Sequence, residues 1–161
     1  MDKEKKEAMN ESAIGSTFEI SLRVLLMLNE LWPAKLDEQQ IRAIDFIAVY
    51  AADFGLLDEN LHGYSNYRYS EFPARKQMVS SALKNLVLDG YVRLYPTSSG
   101  YRYSLLETGK TVCTKLTSGY AQEYILAVQS VVDRFDKANE TAMLKEINRL
   151  TIQSLQEVGH E

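Results

Sequence analysis

The sequence is poor in the residues that bind metals and form disulfide bridges. Its 161 residues include a single cysteine, Cys113, and two histidines, His62 and His160. A lone cysteine cannot form an internal disulfide, which favours a reducing compartment and predicts a cytoplasmic protein. No cysteine or histidine pair has the spacing of zinc ligands. The sequence therefore predicts a protein without a structural metal.

Long hydrophobic runs are also missing. The longest unbroken apolar run covers residues 46–52, whereas a membrane helix needs about 20 residues. The N-terminus lacks the basic start, apolar stretch and small-residue cleavage site of a secretory signal. We therefore expect no membrane contact. Residues 1–15, which are charged and have no apolar periodicity, are interpreted as a flexible tail.

Catalytic motifs are the third absence. The sequence shows no Ser/His/Asp triad pattern, no P-loop and no glycine-rich phosphate cradle. Asp45 and Asp53 lie on a predicted helix that is otherwise apolar. A buried carboxylate in such a helix is expected to pair with an arginine, here Arg42 or Arg23, rather than to act as an acid or base. We predict that the chain is not an enzyme and takes neither a cofactor nor a small-molecule substrate.

The charge that is present is unevenly distributed. The net charge is −4, but residues 68–110 carry 7 basic and 3 acidic side chains, while residues 1–67 carry 6 basic and 12 acidic ones. An acidic chain argues against general nucleic-acid binding. Phosphate contacts are therefore expected only in the basic middle third.

Hydrophobic periodicity predicts a mainly α protein with a small β-hairpin, in the α+β class. Helical spacing recurs over residues 16–32, 37–55, 73–88, 107–116 and 120–137, and again after a cap at Asn139. Capping boxes are predicted at Ser16 with Glu19 and at Asp37 with Gln40. Residues 91–95 and 101–105 alternate with period two around a turn. The expected core includes Ile44 on the second helix and, on the third, Met78, Val79, Ala82, Leu83, Leu86 and Val87.

The order of these elements predicts a winged helix-turn-helix. Residues 37–109 give a helix, a long connection, a helix, a two-stranded hairpin and another helix. Gly90 supplies the positive φ with which the third helix passes into the hairpin. We place the winged-helix domain at residues 16–117. Residues 118–161 are interpreted as a C-terminal helical hairpin joined at residues 137–139.

Basic side chains on the third helix and hairpin are candidates for DNA or phosphate contacts. They are Arg75, Lys76, Lys84, Arg93 and Arg102. The alternative is that these side chains form the solvated faces of an ordinary helix and hairpin. A helix that reads the major groove usually presents more amides than this one. A DNA-binding transcriptional regulator, with the last two helices as a dimerisation arm, is the alternative function.

Aromatic residues gather in the connection before the third helix. Tyr64, Tyr67 and Tyr69 are candidates for a partner interface, because amphipathic rings favour interfaces. The alternative is that they pack back onto the domain. Trp32 is expected to cover the core, and the hairpin tyrosines, Tyr101 among them, are expected to pack within the hairpin.

Two parts of the chain carry a family resemblance. The run FEISLRVLLML at residues 18–28 resembles the opening helix of the middle component of prokaryotic three-component ABC-ATPase conflict systems. A second stretch resembles the body of the same family. It includes IDFI at residues 44–47, DFG at 53–55, NLHG at 60–63 and YRYSE at 67–71. The resemblance extends over the whole predicted globular part.

The resemblance implies a small subunit of a complex. Related systems include the Lamassu type, in which an SMC-like ABC ATPase, an effector such as a nuclease and a small third subunit act together against phage or plasmids. The implied role is non-catalytic: the chain docks on the ATPase, helps to hold or release the effector, and meets DNA mainly through the complex. The blander hypothesis is an adaptor domain in some other complex.

Overall fold

The computed structural model of the protein describes residues 17–158. The predicted tail at residues 1–15, the cap Ser16 and His160 lie outside these residues. The described chain is mainly helical with a small antiparallel sheet, as predicted. Its α-helices are α1 (Glu19–Glu30), α2 (Glu38–Val49), α3 (Glu71–Ala74), α4 (Lys76–Leu88), α5 (Glu107–Cys113), α6 (Gly119–Arg134) and α7 (Glu140–Val158); 3-10 turns cover Arg68–Ser70 and Asp136–Ala138. Its strands are β1 (Leu36–Asp37), β2 (Val92–Thr97) and β3 (Gly100–Leu105).

The predicted local signals at several helix ends are confirmed. The Asp37 carboxylate accepts a hydrogen bond from the backbone N–H of Gln40 at 2.7 Å, and the Gln40 side chain accepts one from the Asp37 N–H at 3.0 Å. This capping box opens α2. Asn139 caps α7 by accepting from the N–H of Ala142 at 3.0 Å. Gly90 follows α4 with a φ of +81°, which glycine adopts without strain.

The third predicted helix starts earlier than expected and is divided. It begins at Glu71, two residues before Pro73, and breaks at Arg75. The ψ angle of Arg75 is −6°, far from the value of about −42° in a regular α-helix. The Arg75 N–H still donates to the carbonyl of Glu71 at 2.8 Å, so the backbone remains hydrogen-bonded across the break.

The sheet contains one strand more than the predicted hairpin. β2 and β3 pair antiparallel from Val92 opposite Leu105 to Thr97 opposite Gly100. β1 pairs with the other side of β3, which gives the order β1-β3-β2. Two residues are too few to show a period of two, so β1 has no signature in the sequence.

One hydrophobic core forms around α2. Ile44 and Leu83 are fully buried, as predicted, while Met78 and Val87 lie at the edge of the core. α2 contacts α1, α4, α6 and α7, because it is apolar over most of its circumference. No helix among the residues described is both long and apolar enough to cross a membrane.

The two C-terminal helices share this core. α6 packs against α1 and α2, and α7 packs against α2. Tyr124 of α6 and Met143 of α7 are fully buried in the same cluster. The prediction of a helical hairpin over residues 118–161 anticipated the two helices. It did not anticipate that both of them pack against α2. Their apolar stripes are buried on α2, which offers a wide apolar surface.

Two aromatic predictions are wrong. Trp32 is half exposed instead of covering the core, since the chain leaves α1 at Glu30 and turns away; the Nζ of Lys110 lies 3.3 Å from the centroid of the Trp32 ring. Tyr101 is also exposed. It lies at the turn end of the hairpin, opposite Pro96 and away from the buried end at Val92 and Leu105.

Candidate interaction surfaces

The long connection between α2 and α3 is held in place by its own polar side chains. The Asn60 amide oxygen accepts hydrogen bonds from the N–H groups of Ala52 at 2.9 Å and Asp53 at 3.2 Å. The Asn60 Nδ2 donates to the carbonyl of Gly63 at 2.9 Å. This buried amide satisfies backbone groups that would otherwise need water or a partner strand. The connection therefore presents a defined surface.

Arg68 closes the same connection from its other end. Its guanidinium donates to both carboxylate oxygens of Asp53, at 2.5 and 3.2 Å. It also donates to the carbonyl of Ser65 at 2.9 Å. The arginine that pairs with Asp53 is therefore Arg68, which is part of the connection itself, and neither Arg42 nor Arg23.

The three tyrosines of the connection have different environments. Tyr67 is 78% exposed and Tyr64 is also exposed, whereas Tyr69 is 8% exposed. The Tyr69 ring packs 6.2 Å from that of Phe46, between ring centroids. Two of the three predicted interface residues thus face solvent, and the third belongs mostly to the core.

Tyr67 and Tyr69 line an apolar groove, which we call the α7 groove. Its volume is about 550 Å³, and its second wall is one face of α7. No side chain that lines it is charged. The α7 wall follows the three- and four-residue spacing of a helix face: Leu144, Ile147, Asn148, Thr151, Ser154 and Leu155. Leu155 is 67% exposed, so no residue within 17–158 covers this face of α7 at its C-terminal end.

A buried ion pair links α1 to α2. The Arg23 guanidinium donates to both oxygens of Asp45, and the Tyr124 hydroxyl donates to Asp45 Oδ1 at 2.7 Å. Burial alone would raise the pKa of Asp45, but the charge of Arg23 and its hydrogen bonds hold that pKa below its ordinary value. The predicted pairing of Asp45 with an arginine is confirmed for Arg23, and the pair is structural.

His62 lies next to this pair and is neutral. Its Nε2 is 2.7 Å from the Tyr120 hydroxyl, which donates onward to Glu19 at 3.2 Å. Since the hydroxyl has one proton, Nε2–H is the donor to Tyr120, and Nδ1 accepts from Arg75 at 3.4 Å. Burial, and then the charges of Arg23 and Arg75, lower the pKa of His62 to about 4.

Arg75 belongs to this network and does not face outward. Its side chain is 18% exposed. Its Nη2 donates to Glu71 at 2.8 Å, and its Nη1 lies 3.9 Å from Asp45. Of the candidate phosphate contacts on the third helix, Arg75 is therefore held within the protein, whereas Lys76 and Lys84 are exposed on α4.

The two candidate phosphate contacts on the hairpin lie close together. Arg93 of β2 and Arg102 of β3 both neighbour Tyr95, where Lys35 joins them from the turn before β1. Lys35 was not among the candidates predicted from the sequence, because only the pairing of β1 with β3 brings it close to Tyr95.

Among residues 17–158, no group of three or more His, Cys, Asp or Glu side chains is placed to hold a metal ion. Cys113 is buried, and burial raises the pKa of its thiol to about 11. The thiol is therefore protonated and poorly nucleophilic at neutral pH.

Comparison with known proteins shows the family of this chain. A family model described as ABC-three component (ABC-3C) system Middle Component 2 matches residues 13–157. The matched range includes the connection between α2 and α3, the α7 groove and the hairpin. No curated protein and no solved structure matches the chain.

Proposed function

The chain belongs to the ABC-3C system Middle Component 2 family, and from this premise we propose that it is a non-catalytic subunit that docks on an SMC-like ABC ATPase. In this role it helps to hold or release an effector such as a nuclease, in a cytoplasmic Lamassu-type system acting against phage or plasmids. Membership confirms the middle-component resemblance seen in the sequence. It makes the chain one component of a multi-component ABC system, and this observation carries the proposal.

A winged helix is part of the proposal. The element order α1, β1, α2, α3 with α4, β2, β3 supports it, as does the strand order β1-β3-β2. In this arrangement α4 corresponds to the recognition helix and the β2–β3 hairpin to the wing. The connection before α3 is longer than that of a tight helix-turn-helix, and its exposed tyrosines suit contact with protein.

We assign the α7 groove to the ATPase component. An uncharged groove with a helical wall suits the apolar face of an amphipathic helix, which anchors by side chains one turn apart. The exposed Leu155 and Tyr67 flank the groove, so a docked helix would cover both side chains.

Co-expression with the neighbouring ATPase and effector genes tests the proposal. The expected result is co-elution of this chain with the ATPase in size exclusion at sub-micromolar concentration. Leu155→Glu places a charge in the groove and should weaken co-elution at least about tenfold. Leu88→Glu is the matched control, because Leu88 is exposed on α4 outside the groove.

The outcomes separate the function from the groove. Elution of the wild-type chain apart from the ATPase would contradict the subunit role. Equal co-elution of the Leu155→Glu and Leu88→Glu proteins would retain that role and contradict the groove assignment.

The alternative function is a DNA-binding transcriptional regulator. The exposed Lys76 and Lys84 on α4, beside the exposed amides Gln77 and Asn85, favour it. Nanomolar, sequence-selective binding of duplex DNA by the purified chain alone would make the regulator the better explanation.

A further inference from the structure

Three cationic side chains converge on one tyrosine of the hairpin. The Nζ of Lys35 lies 4.1 Å and the Cζ of Arg93 4.8 Å from the centroid of the Tyr95 ring. Arg102 is opposite Tyr95 in the pairing of β2 with β3, and its Nη1 donates to the carbonyl of Lys35 at 3.0 Å. We call Lys35, Arg93, Tyr95 and Arg102 the hairpin cation cluster.

The fold brings these residues together on one face of the sheet. Arg93 and Tyr95 are two residues apart on β2, so they share a face, and Arg102 lies across from them on β3. Lys35 arrives because it directly precedes β1, the strand on the far side of β3. The cluster is thus a product of the sheet register.

The negative charge near the cluster lies on its Arg102 side. None of the ion pairs formed within residues 17–158 includes Lys35, Arg93 or Arg102. Asp37 is opposite Arg102 in the β1–β3 pairing, but its carboxylate also caps α2. Glu140, which is hydrogen-bonded to Asp37, is the second carboxylate near Arg102, whereas Lys35 and Arg93 have none in an ion pair within the described part of the chain. Like charges held this close repel each other, and a bound anion relieves that repulsion.

The shape of the hairpin indicates which anion. Residues 96–101 are all exposed, so the two strands project as a narrow ribbon, with the exposed Tyr101 near its end. The major groove of a duplex admits a two-stranded ribbon, and its phosphates form a regular row of charges. We propose that the hairpin cation cluster binds backbone phosphates of a nucleic-acid duplex.

This binding goes beyond the proposed subunit role, which needs only protein contacts. The hairpin carries no asparagine or glutamine, so we expect contact with phosphates and little discrimination between bases. The net charge of −4 keeps the affinity of the chain alone low. A weak contact of this kind gains strength when other subunits hold the same duplex.

Salt-dependent binding to a short labelled DNA duplex, followed by fluorescence anisotropy, tests the proposal. The wild-type chain should bind with a Kd of about 10⁻⁴–10⁻⁶ M, and three phosphate contacts should give a slope of log K against log salt of about −2.7. The double variant Lys35→Gln/Arg93→Gln should bind about tenfold more weakly at low salt, with a slope of about −0.9. Both residues are exposed, so the variant is expected to fold.

The control double variant is Arg134→Gln/Lys145→Gln, which removes two exposed charges from α6 and α7. It should keep the wild-type slope. Equal slopes and affinities for the two double variants would overturn the proposal, as would binding of polyglutamate as tight as that of the duplex. The assay uses this chain alone, so its failure leaves assembly with the ATPase untouched.

Discussion

Arg23 and Asp45 form a doubly hydrogen-bonded ion pair between α1 and α2, with Nε–Oδ1 and Nη2–Oδ2 distances of 2.8 and 2.9 Å. Both side chains are 3% exposed. Tyr124 donates to the same carboxylate, so the pair also joins α6 to these helices. A buried pair of this kind is sensitive to the loss of either partner, because the remaining charge has no water to replace it.

Asp45→Asn should therefore destabilise the protein strongly. The substitution keeps the volume of the side chain but removes the doubly hydrogen-bonded counterion of Arg23 and leaves only the partly exposed Glu19, 3.3 Å from Nη1, at an expected cost of about 3–5 kcal/mol in the free energy of unfolding. Urea denaturation measures this change. Glu146→Gln is the control, since Glu146 pairs at 2.6 Å with Arg149 on an exposed face of α7, and should cost less than about 1 kcal/mol. Similar small losses in both variants would contradict the importance of the buried pair.

Two leucines on α4 allow a matched test of the core. Leu83 is 1% exposed and Leu88 is 73% exposed. Leu83→Ala should cost about 2–5 kcal/mol, and Ile44→Ala on α2 should cost a similar amount, because each leaves a cavity. Leu88→Ala should change the free energy of unfolding by no more than about 0.5 kcal/mol. Chemical denaturation checks all three, and a loss under about 1 kcal/mol for Leu83→Ala would mean that the buried face of α4 is wrong.

The stability should depend on pH through His62. Burial, together with Arg23 and Arg75, lowers the pKa of His62 from 6.5 to about 4. As the pH falls below 6.5, the unfolded chain binds a proton that the folded chain does not, so stability present above that pH is lost towards pH 4. The loss can reach about 3 kcal/mol, since one pKa unit corresponds to about 1.4 kcal/mol.

His62→Gln isolates this contribution. Carboxylates with lowered pKa values, Asp45 among them, also lose stability in acid, but they do so in both proteins. Urea denaturation at neutral pH and at about pH 5 should therefore show a smaller loss in the variant than in the wild type. Equal losses in the two proteins would show that His62 is not held neutral.

Local signals in the sequence anticipated much of the fold. Asp37 with Gln40 predicts the start of α2 because a capping box forms between residues three apart and needs no other part of the chain. The period of two around residues 96–100 predicts the hairpin for the same reason, and the apolar stripes identify Ile44 and Leu83 as core. Tyr64, Tyr67 and Tyr69 were predicted together as candidates for a partner interface. The sequence does not show that Tyr67 is exposed whereas Tyr69 is buried.

The sequence by itself therefore determined the helices, the hairpin, the absence of recognisable catalytic motifs and the family. Only the tertiary structure decided the surfaces. It turned Arg75 inward to Glu71 and His62, brought Lys35 to Tyr95 through the pairing of β1 with β3, and set one face of α7 opposite Tyr67 to form the groove. Helical and strand periods are properties of neighbouring residues, whereas these surfaces depend on contacts between residues far apart in the chain, which no local period encodes.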